Sequence, residues 1–212
     1  MTVACALAGV TGALLIALLV LEKRQAPLRV WVKGAASAAF IGTALAAGAA
    51  GSAYGGWVLA GLCLGALGDV SLELPHRRWF LIGLAAFLFG HLAYIGAFCA
   101  VEPGPLVAVA VAAGLLLPAG LVARWLWPHL DAAMRGPVLI YIGVITAMVA
   151  AASGAVAGEG PVALAPAAAA FYVSDLFVAR DRFVTRGFLN RLLGLPLYYG
   201  AQVVLALSVG WL

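Results

Sequence analysis

The sequence predicts an all-α fold, a polytopic membrane bundle of eight transmembrane helices with both termini outside the cytoplasm. Hydrophobic residues make up 66% of its 212 residues and charged residues only 9%, against roughly 25% charged in soluble domains. Eight runs are apolar enough, and long enough at about 20 residues each, to span a bilayer. All twelve Lys and Arg residues lie in alternate gaps between these runs, the positive-inside pattern of cytoplasmic loops.

The gaps justify the predicted spans in order. Cations follow the first run and none precedes it, so it is interpreted as a helix inserted with its N-terminus outward rather than as a signal peptide. Basic residues occupy the first, third, fifth and seventh gaps, while the second, fourth and sixth, near 51–53, 102–104 and 157–160, contain none. The predicted spans cover about 2–21, 34–51, 53–72, 79–100, 105–123, 137–157, 162–179 and 192–211.

These spans predict that residues 1–212 form a single transmembrane domain of a multi-pass cell-membrane protein. Its cations are dispersed over four short loops, which excludes the basic patch of a nucleic-acid-binding protein and makes membrane lipids the expected partners. No obligatory protein partner is indicated. Two of the three histidines, His76 and His129, lie in loops without matching ligands nearby, so we expect no metal site and no cofactor.

Two aspartates lie inside predicted spans. Asp69 and Asp175 each precede a cytoplasmic helix end by four or five residues, about 6–8 Å at the helical rise. An ionisable group at such depth indicates a functional site. The alternative is a structural ion pair with Arg78 or Arg180.

The other six acidic residues have simpler interpretations. Glu73 lies at a helix end near Arg77. The remaining five are assigned to loops: Glu22, Glu102, Asp131, Glu159 and Asp181.

Further polar residues predict a cavity that opens at the cytoplasmic surface and ends near the midplane. His91 and Tyr94 share a face of the fourth span at i, i+3, and Tyr199 and Gln202 do so in the eighth. Asn190 lies just before that last span.

Two carboxylates with supporting Tyr, His and Gln side chains favour acid–base chemistry, in which one carboxyl remains protonated as a general acid. A serine nucleophile is disfavoured because no GxSxG motif is present. Intramembrane Asp and His residues also occur in proton relays. A proton-coupled transporter or lipid carrier, and a non-catalytic lipid-binding scaffold, are therefore kept as alternatives.

Three segments carry a resemblance: GDVSLELPHRRWFLIGLAAFLFGHLAYIGAF, FYVSDLFVARDRF and PLYYGAQVVLAL. In this order and spacing they resemble the YhhN family, the lysoplasmalogenases, over nearly the whole chain. The matching positions are Gly68-Asp69, Phe87 with His91 and Tyr94, Ser174-Asp175, and Tyr198-Tyr199 with Gln202.

The resemblance implies an ether hydrolase that cleaves the vinyl ether bond of a lysoplasmalogen, an alkenyl glycerophosphoethanolamine or glycerophosphocholine. The products would be a fatty aldehyde and a glycerophospho-base. Asp69 is expected to be the general acid, because Glu73 lies one turn away and like charge favours the protonated form, and Asp175 the carboxylate that stabilises the cation. The expected supporting residues are His91, Tyr94, Asn190, Tyr198, Tyr199 and Gln202, and Arg180 and Arg191 are expected to bind the headgroup of the lysophospholipid substrate.

Overall fold

A computed structural model, which describes residues 1–212, contains eight α-helices and no strands. The all-α prediction is therefore confirmed. The helices are α1 Thr2–Lys23, α2 Arg29–Ala46, α3 Ala53–Glu73, α4 Arg77–Cys99, α5 Pro105–Leu126, α6 Ala132–Ala157, α7 Leu164–Ala179 and α8 Phe188–Ser208.

Local sequence sets several helix ends. The Ser52 hydroxyl accepts a hydrogen bond from the Gly55 amide at the start of α3, and the Asp131 carboxylate caps α6 in the same way. A side-chain acceptor at this position satisfies an amide that has no partner within its helix. Pro105 begins α5, where a missing N–H costs nothing.

Six helices are long and apolar enough to cross a membrane: α1, α3, α4, α5, α6 and α8. α2 has only 18 residues. Because it includes Arg29 and Lys33, it begins several residues before the predicted span. α7 has 16 residues and continues directly into a π-helical turn, Arg180–Val184. Eight helices agree with the prediction, whereas the crossing of the membrane by all eight remains a prediction.

The helices pack as four antiparallel hairpins: α1 with α2, α3 with α4, α5 with α6, and α7 with α8. Further contacts of α8 with α1 and α2, and of α6 with α4 and α7, join the hairpins. α5 lies at the periphery and buries only Leu126. The main core surrounds a cluster of aromatic side chains: Phe40, Tyr94, Phe171, Tyr198 and Tyr199.

Ion pairs link the cation-bearing gaps at one end of the bundle. Glu73, at the end of α3, contacts Arg29 of α2 and Arg191 of α8. Arg77 contacts Asp131 across the gaps that precede α4 and α6. All four basic gaps therefore lie on the same side of the molecule, as the alternating charge pattern requires.

Candidate active site

A cavity of about 360 Å³ opens at this charged end of the bundle. Both Asp69 and Asp175 line it, together with Tyr198, Asn190 and Arg191. Most of the other lining residues are hydrophobic. An apolar cavity with a few convergent polar groups is the usual form of a site for a small molecule or lipid.

Asp69 is enclosed by donors. It is 2% exposed, and its Oδ2 accepts hydrogen bonds from the Ser37 and Tyr198 hydroxyls, both at 2.7 Å. The Lys33 ammonium lies 3.6 Å from Oδ1. A neighbouring cation and two hydroxyl donors favour the ionised carboxylate, whereas burial opposes it. Neither Arg78 nor Arg180, the partners considered from sequence, takes part.

Asp175 has a different environment. Its Oδ2 accepts a hydrogen bond from the Tyr141 hydroxyl at 2.6 Å and contacts His91 Nε2 at 3.1 Å. Its Oδ1 makes no hydrogen bond within the protein, and 15% of the side chain is exposed. Asp175 therefore offers an unoccupied carboxyl oxygen to a cavity ligand, and no Lys or Arg contacts it.

The His91 ring is completely buried behind Asp175. It packs edge-on against Phe171, with ring centres 4.7 Å apart, and against Tyr141. Its Nδ1 has no hydrogen-bond partner. The ring therefore makes its polar contacts through Nε2 alone, with the Asp175 carboxylate and the Tyr141 hydroxyl.

A hydrogen-bonded chain runs from the bundle interior to Asp69. Tyr94 donates to Gln202 Oε1 at 2.6 Å, and Gln202 Nε2 donates to the Tyr198 hydroxyl at 3.0 Å. Tyr198 then donates to Asp69. Because each hydroxyl proton is committed to the next acceptor, the chain fixes the direction of the last bond.

Three glycines on one face of α3 make room for this chain. A Cβ atom at Gly61 would lie 2.5 Å from the Tyr94 ring, and one at Gly65 would lie 2.5 Å from Gln202 Nε2. At Gly68 it would lie 2.6 Å from the Phe87 ring. The small residues of α3 therefore accommodate site side chains of α4 and α8.

A second polar cluster, called the mouth network below, surrounds the cavity entrance. Glu73 accepts hydrogen bonds from Arg29 at 3.2 Å, Lys33 at 3.1 Å and Arg191 at 3.3 Å. Glu22 accepts one from Arg191 at 2.8 Å. The placement of Glu22 in a loop was wrong, because it lies in the last turn of α1. Glu73 does end α3, as expected, but its cation partners come from α2 and α8 rather than from Arg77.

The mouth network also adds cations to the surroundings of Asp69. Glu73 carries a negative charge near it, but three cations offset that charge, and one of them, Lys33, lies beside Asp69 as well. Arg191, expected to bind a headgroup, is engaged with acidic side chains of three elements: Glu22, Glu73 and Asp181.

The other predicted polar residues, Arg180 and Asn190, form hydrogen bonds at the connector between α7 and α8, residues 180–187. Arg180 donates to Asn190 Oδ1 at 2.5 Å. Asn190 Nδ2 donates to the Thr185 carbonyl at 2.7 Å and to Asp181 at 3.0 Å. Asn190 lines the cavity but has each polar side-chain atom bonded to the connector, whereas Arg180 lies outside the lining.

Several predicted residues stand behind the cavity wall rather than in it. Tyr199 donates to the Lys33 carbonyl at 3.3 Å and packs against Tyr198. The predicted residues absent from the lining are His91, Tyr94, Tyr199, Gln202 and Arg180. The predicted residues thus divide into those that line the cavity and those that lie behind its wall and hold the lining residues in position.

Sequence reasoning missed Tyr141, Lys33 and Ser37. Tyr141 is a polar group within the apolar part of α6, but a tyrosine in such a run is usually a core residue. Lys33 and Ser37 lie on one face of α2 at i, i+4. Their spacing was a usable signal, but Lys33 was counted among the loop cations.

Fold and site define the class of the protein as a helical membrane-type bundle with a largely apolar cavity, lined by a few carboxylates, at its charged end. The chain belongs to the YhhN family, whose sequence model matches residues 28–209. The family expected from the sequence is therefore confirmed.

Curated relatives support the same assignment. The chain is 34% identical over 149 residues to a Mycobacterium bovis protein named lysoplasmalogenase. The aligned region covers 68% of this chain and 55% of the relative. It is 30% identical over 159 residues to lysoplasmalogenase TMEM86A of Bos taurus, covering 71% and 64%. The match to lysoplasmalogenase TMEM86B of Sus scrofa is 34% over 163 residues, covering 76% and 66%. The chain thus spans little more than half the length of the mycobacterial relative, and no solved structure matches it.

Proposed function

We propose that this chain is a membrane-embedded lysoplasmalogenase, an ether hydrolase that converts a lysoplasmalogen and water to a fatty aldehyde and a glycerophospho-base. The observation that carries the proposal is one largely apolar cavity lined by both Asp69 and Asp175, whose carboxyl groups have unlike environments. The names of the relatives support it. Two such groups are what acid-catalysed ether cleavage through an oxocarbenium ion requires.

The reaction begins with a proton transfer. A carboxylic acid protonates the outer alkene carbon of the vinyl ether, and the double-bond electrons form the new C–H bond, leaving an oxocarbenium ion. Water adds to the cationic carbon and gives its proton to the carboxylate just formed. The resulting hemiacetal loses its hydroxyl proton as the C–O bond to glycerol breaks and the glycerol oxygen takes up a proton.

We assign the acid to Asp175 rather than Asp69. The Asp175 Oδ1 atom has no protein partner, no Lys or Arg contacts this carboxyl, and the residue lines the cavity, so Oδ1 is placed to meet the substrate. The Lys33 ammonium and two hydroxyl donors surround Asp69, so we assign it the role of the carboxylate in the proposed reaction. It supplies fixed negative charge that stabilises the cationic intermediate, as pre-oriented charges do in low-dielectric sites.

Placement in the membrane follows from the charge pattern. All eight helices cross the cell membrane as one transmembrane domain with both termini outside the cytoplasm, and the cavity opens toward the cytoplasmic leaflet. The vinyl ether of a lysophospholipid lies just beneath the headgroup. This is the depth of aspartates that precede their helix ends by about one turn, roughly 6 Å. A proton-coupled carrier would be expected to have helices broken near the midplane, whereas here the π-helical turn lies at the end of α7.

The test is incubation of the purified protein with lysoplasmalogen and, separately, with its saturated ether analogue. Fatty aldehyde from the vinyl ether alone is the expected result, because only an alkene carbon accepts the proton. Aldehyde from neither lipid by the folded protein would contradict the proposal.

The roles of the two aspartates are separated by amide substitution. Asp175→Asn should reduce kcat by about a hundredfold or more, the usual contribution of a general acid, while Asp131→Asn, an exposed carboxyl with the same substitution, should not. Asp69→Asn should also reduce activity, with a loss of thermal stability because Lys33 then lacks one of its partners. Wild-type turnover by a folded Asp175→Asn protein would exclude Asp175 as the acid.

A further inference from the structure

Two arginines at the cavity entrance have no anionic partner. Arg182 and Arg186 both line the cavity, and neither forms an ion pair or a side-chain hydrogen bond. The other arginines of this region are engaged: Arg191 with three acids and Arg180 with Asn190. The entrance therefore presents two uncompensated guanidinium groups.

Arg182 is held in place by an aromatic contact. Its guanidinium carbon lies 4.1 Å from the centre of the Phe80 ring, which in turn packs edge-on against Phe183 at 5.9 Å. Burial and the nearby Arg186 charge lower the pKa of Arg182. Since a guanidinium stays protonated in proteins, an anion bound between these groups would offset their repulsion.

The connector that carries both arginines is internally braced. The Thr185 amide donates to the Arg180 carbonyl at 2.8 Å and closes the π-helical turn. Asn190 holds the Thr185 carbonyl, and Asp181 accepts from the Gly187 amide at 3.0 Å. A braced connector reduces the conformational entropy lost when the arginines bind a ligand.

We propose that Arg182 and Arg186 form the binding site for the phosphodiester anion of the lysophospholipid headgroup. This inference rests on the proposed function. Arg182 follows Asp175 by seven residues, about 10 Å along a helix axis. The glycerol backbone and the length of an arginine side chain span this separation between the vinyl ether and the phosphate. Guanidinium groups match phosphate oxygens with paired hydrogen bonds.

The experiment compares two vinyl ethers, lysoplasmalogen and the phosphate-free 1-alkenylglycerol, as substrates of the wild type and of Arg186→Gln. Arg186 is exposed and bonded to no protein group, so its loss leaves the fold intact. The variant should lower kcat/KM for lysoplasmalogen by about tenfold to a hundredfold, the effect of one lost charge-assisted bond, and leave 1-alkenylglycerol hydrolysis unchanged. Arg182→Gln should show the same selectivity. Arg78→Gln, an exposed arginine at the same end but outside the cavity, should affect neither substrate.

Two outcomes overturn the phosphate site. One is an equal loss on both substrates, which would assign these arginines to folding or to the chemical step. The other is that neither variant loses activity on either substrate. If the wild type forms aldehyde from neither substrate, the proposed hydrolase activity itself has failed, and the two failures are distinguished.

Discussion

Replacement of Gly65 by alanine is the sharpest steric test of how the site is built. The added Cβ would lie 2.5 Å from Gln202 Nε2 and 3.1 Å from the Tyr198 hydroxyl oxygen. Ordinary contacts are about 3.5 Å or longer, so the Gln202 amide must move by about 1 Å. That movement breaks the chain from Tyr94 through Gln202 to Tyr198, whose hydroxyl bonds Asp69.

The expected cost has two parts. Overpacking a filled interior destabilises a fold by about 1–3 kcal/mol. A catalytic group misplaced by about 1 Å loses on the order of a hundredfold in rate, and because Tyr198 is moved only indirectly, we expect a decrease of about tenfold to a hundredfold in kcat. The assay is aldehyde release from lysoplasmalogen in detergent micelles, with thermal unfolding measured on the same preparation.

Gly56→Ala is the matched control. It makes the same substitution in the same helix, and no atom lies within 4 Å of the new Cβ. Alanine in place of glycine within a helix should stabilise it by about 0.5–1 kcal/mol without change in rate. A Gly65→Ala protein that matches the wild type in both rate and thermal unfolding would refute the packing argument.

Three further predictions concern other parts of the molecule. Tyr141→Phe removes the hydroxyl donor of the proposed acid and should lower kcat by about tenfold, the value of one buried hydrogen bond; unchanged kcat would show that the contact does not position the acid. Lys33→Met leaves buried carboxylates without one cation and should destabilise the fold by roughly 3–5 kcal/mol; added Asp69→Asn should restore part of the loss, and equal stabilities of the single and double variants would count against the ion pair. The topology is tested by cysteine labelling after replacement of the three native cysteines, which are exposed. A cysteine at Ala53 should be labelled only from outside, and one at Arg186 only from the cytoplasm. The reverse pattern would invert the topology.

The helices and the principal carboxylates were predictable because both signals are local. A run of apolar residues specifies a helix in lipid by itself, and an aspartate inside such a run is conspicuous wherever it falls. The presence of Asp69 and Asp175 in one cavity follows once their helices and depths are assigned. The start of α2 was missed because Arg29 and Lys33 were assigned to the loop before the span. In the structure both belong to the helix and pair with Glu73.

The partners of the charged residues could not be predicted in the same way. Glu22 and Arg191 are 169 residues apart in sequence, and Lys33 and Glu73 are 40 apart. Nothing in the local sequence of either member identifies the other, since helix packing alone brings them together. Arg191 was therefore expected to face the headgroup with Arg180, while Arg182 and Arg186 are the arginines that remain uncompensated.

This pairing explains how two aspartates that look equivalent in sequence differ in the structure. Each follows a small residue, each lies about one turn from a helix end, and each accepts a hydrogen bond from a tyrosine. What separates them is α2, a helix without any motif residue, which places Lys33 and Ser37 against Asp69 alone. An ammonium beside one carboxyl favours its ionised form, whereas the other carboxyl has no Lys or Arg contact and keeps its Oδ1 atom free for a ligand. The acid and the carboxylate of the proposed reaction are thus distinguished by a helix that carries neither of them.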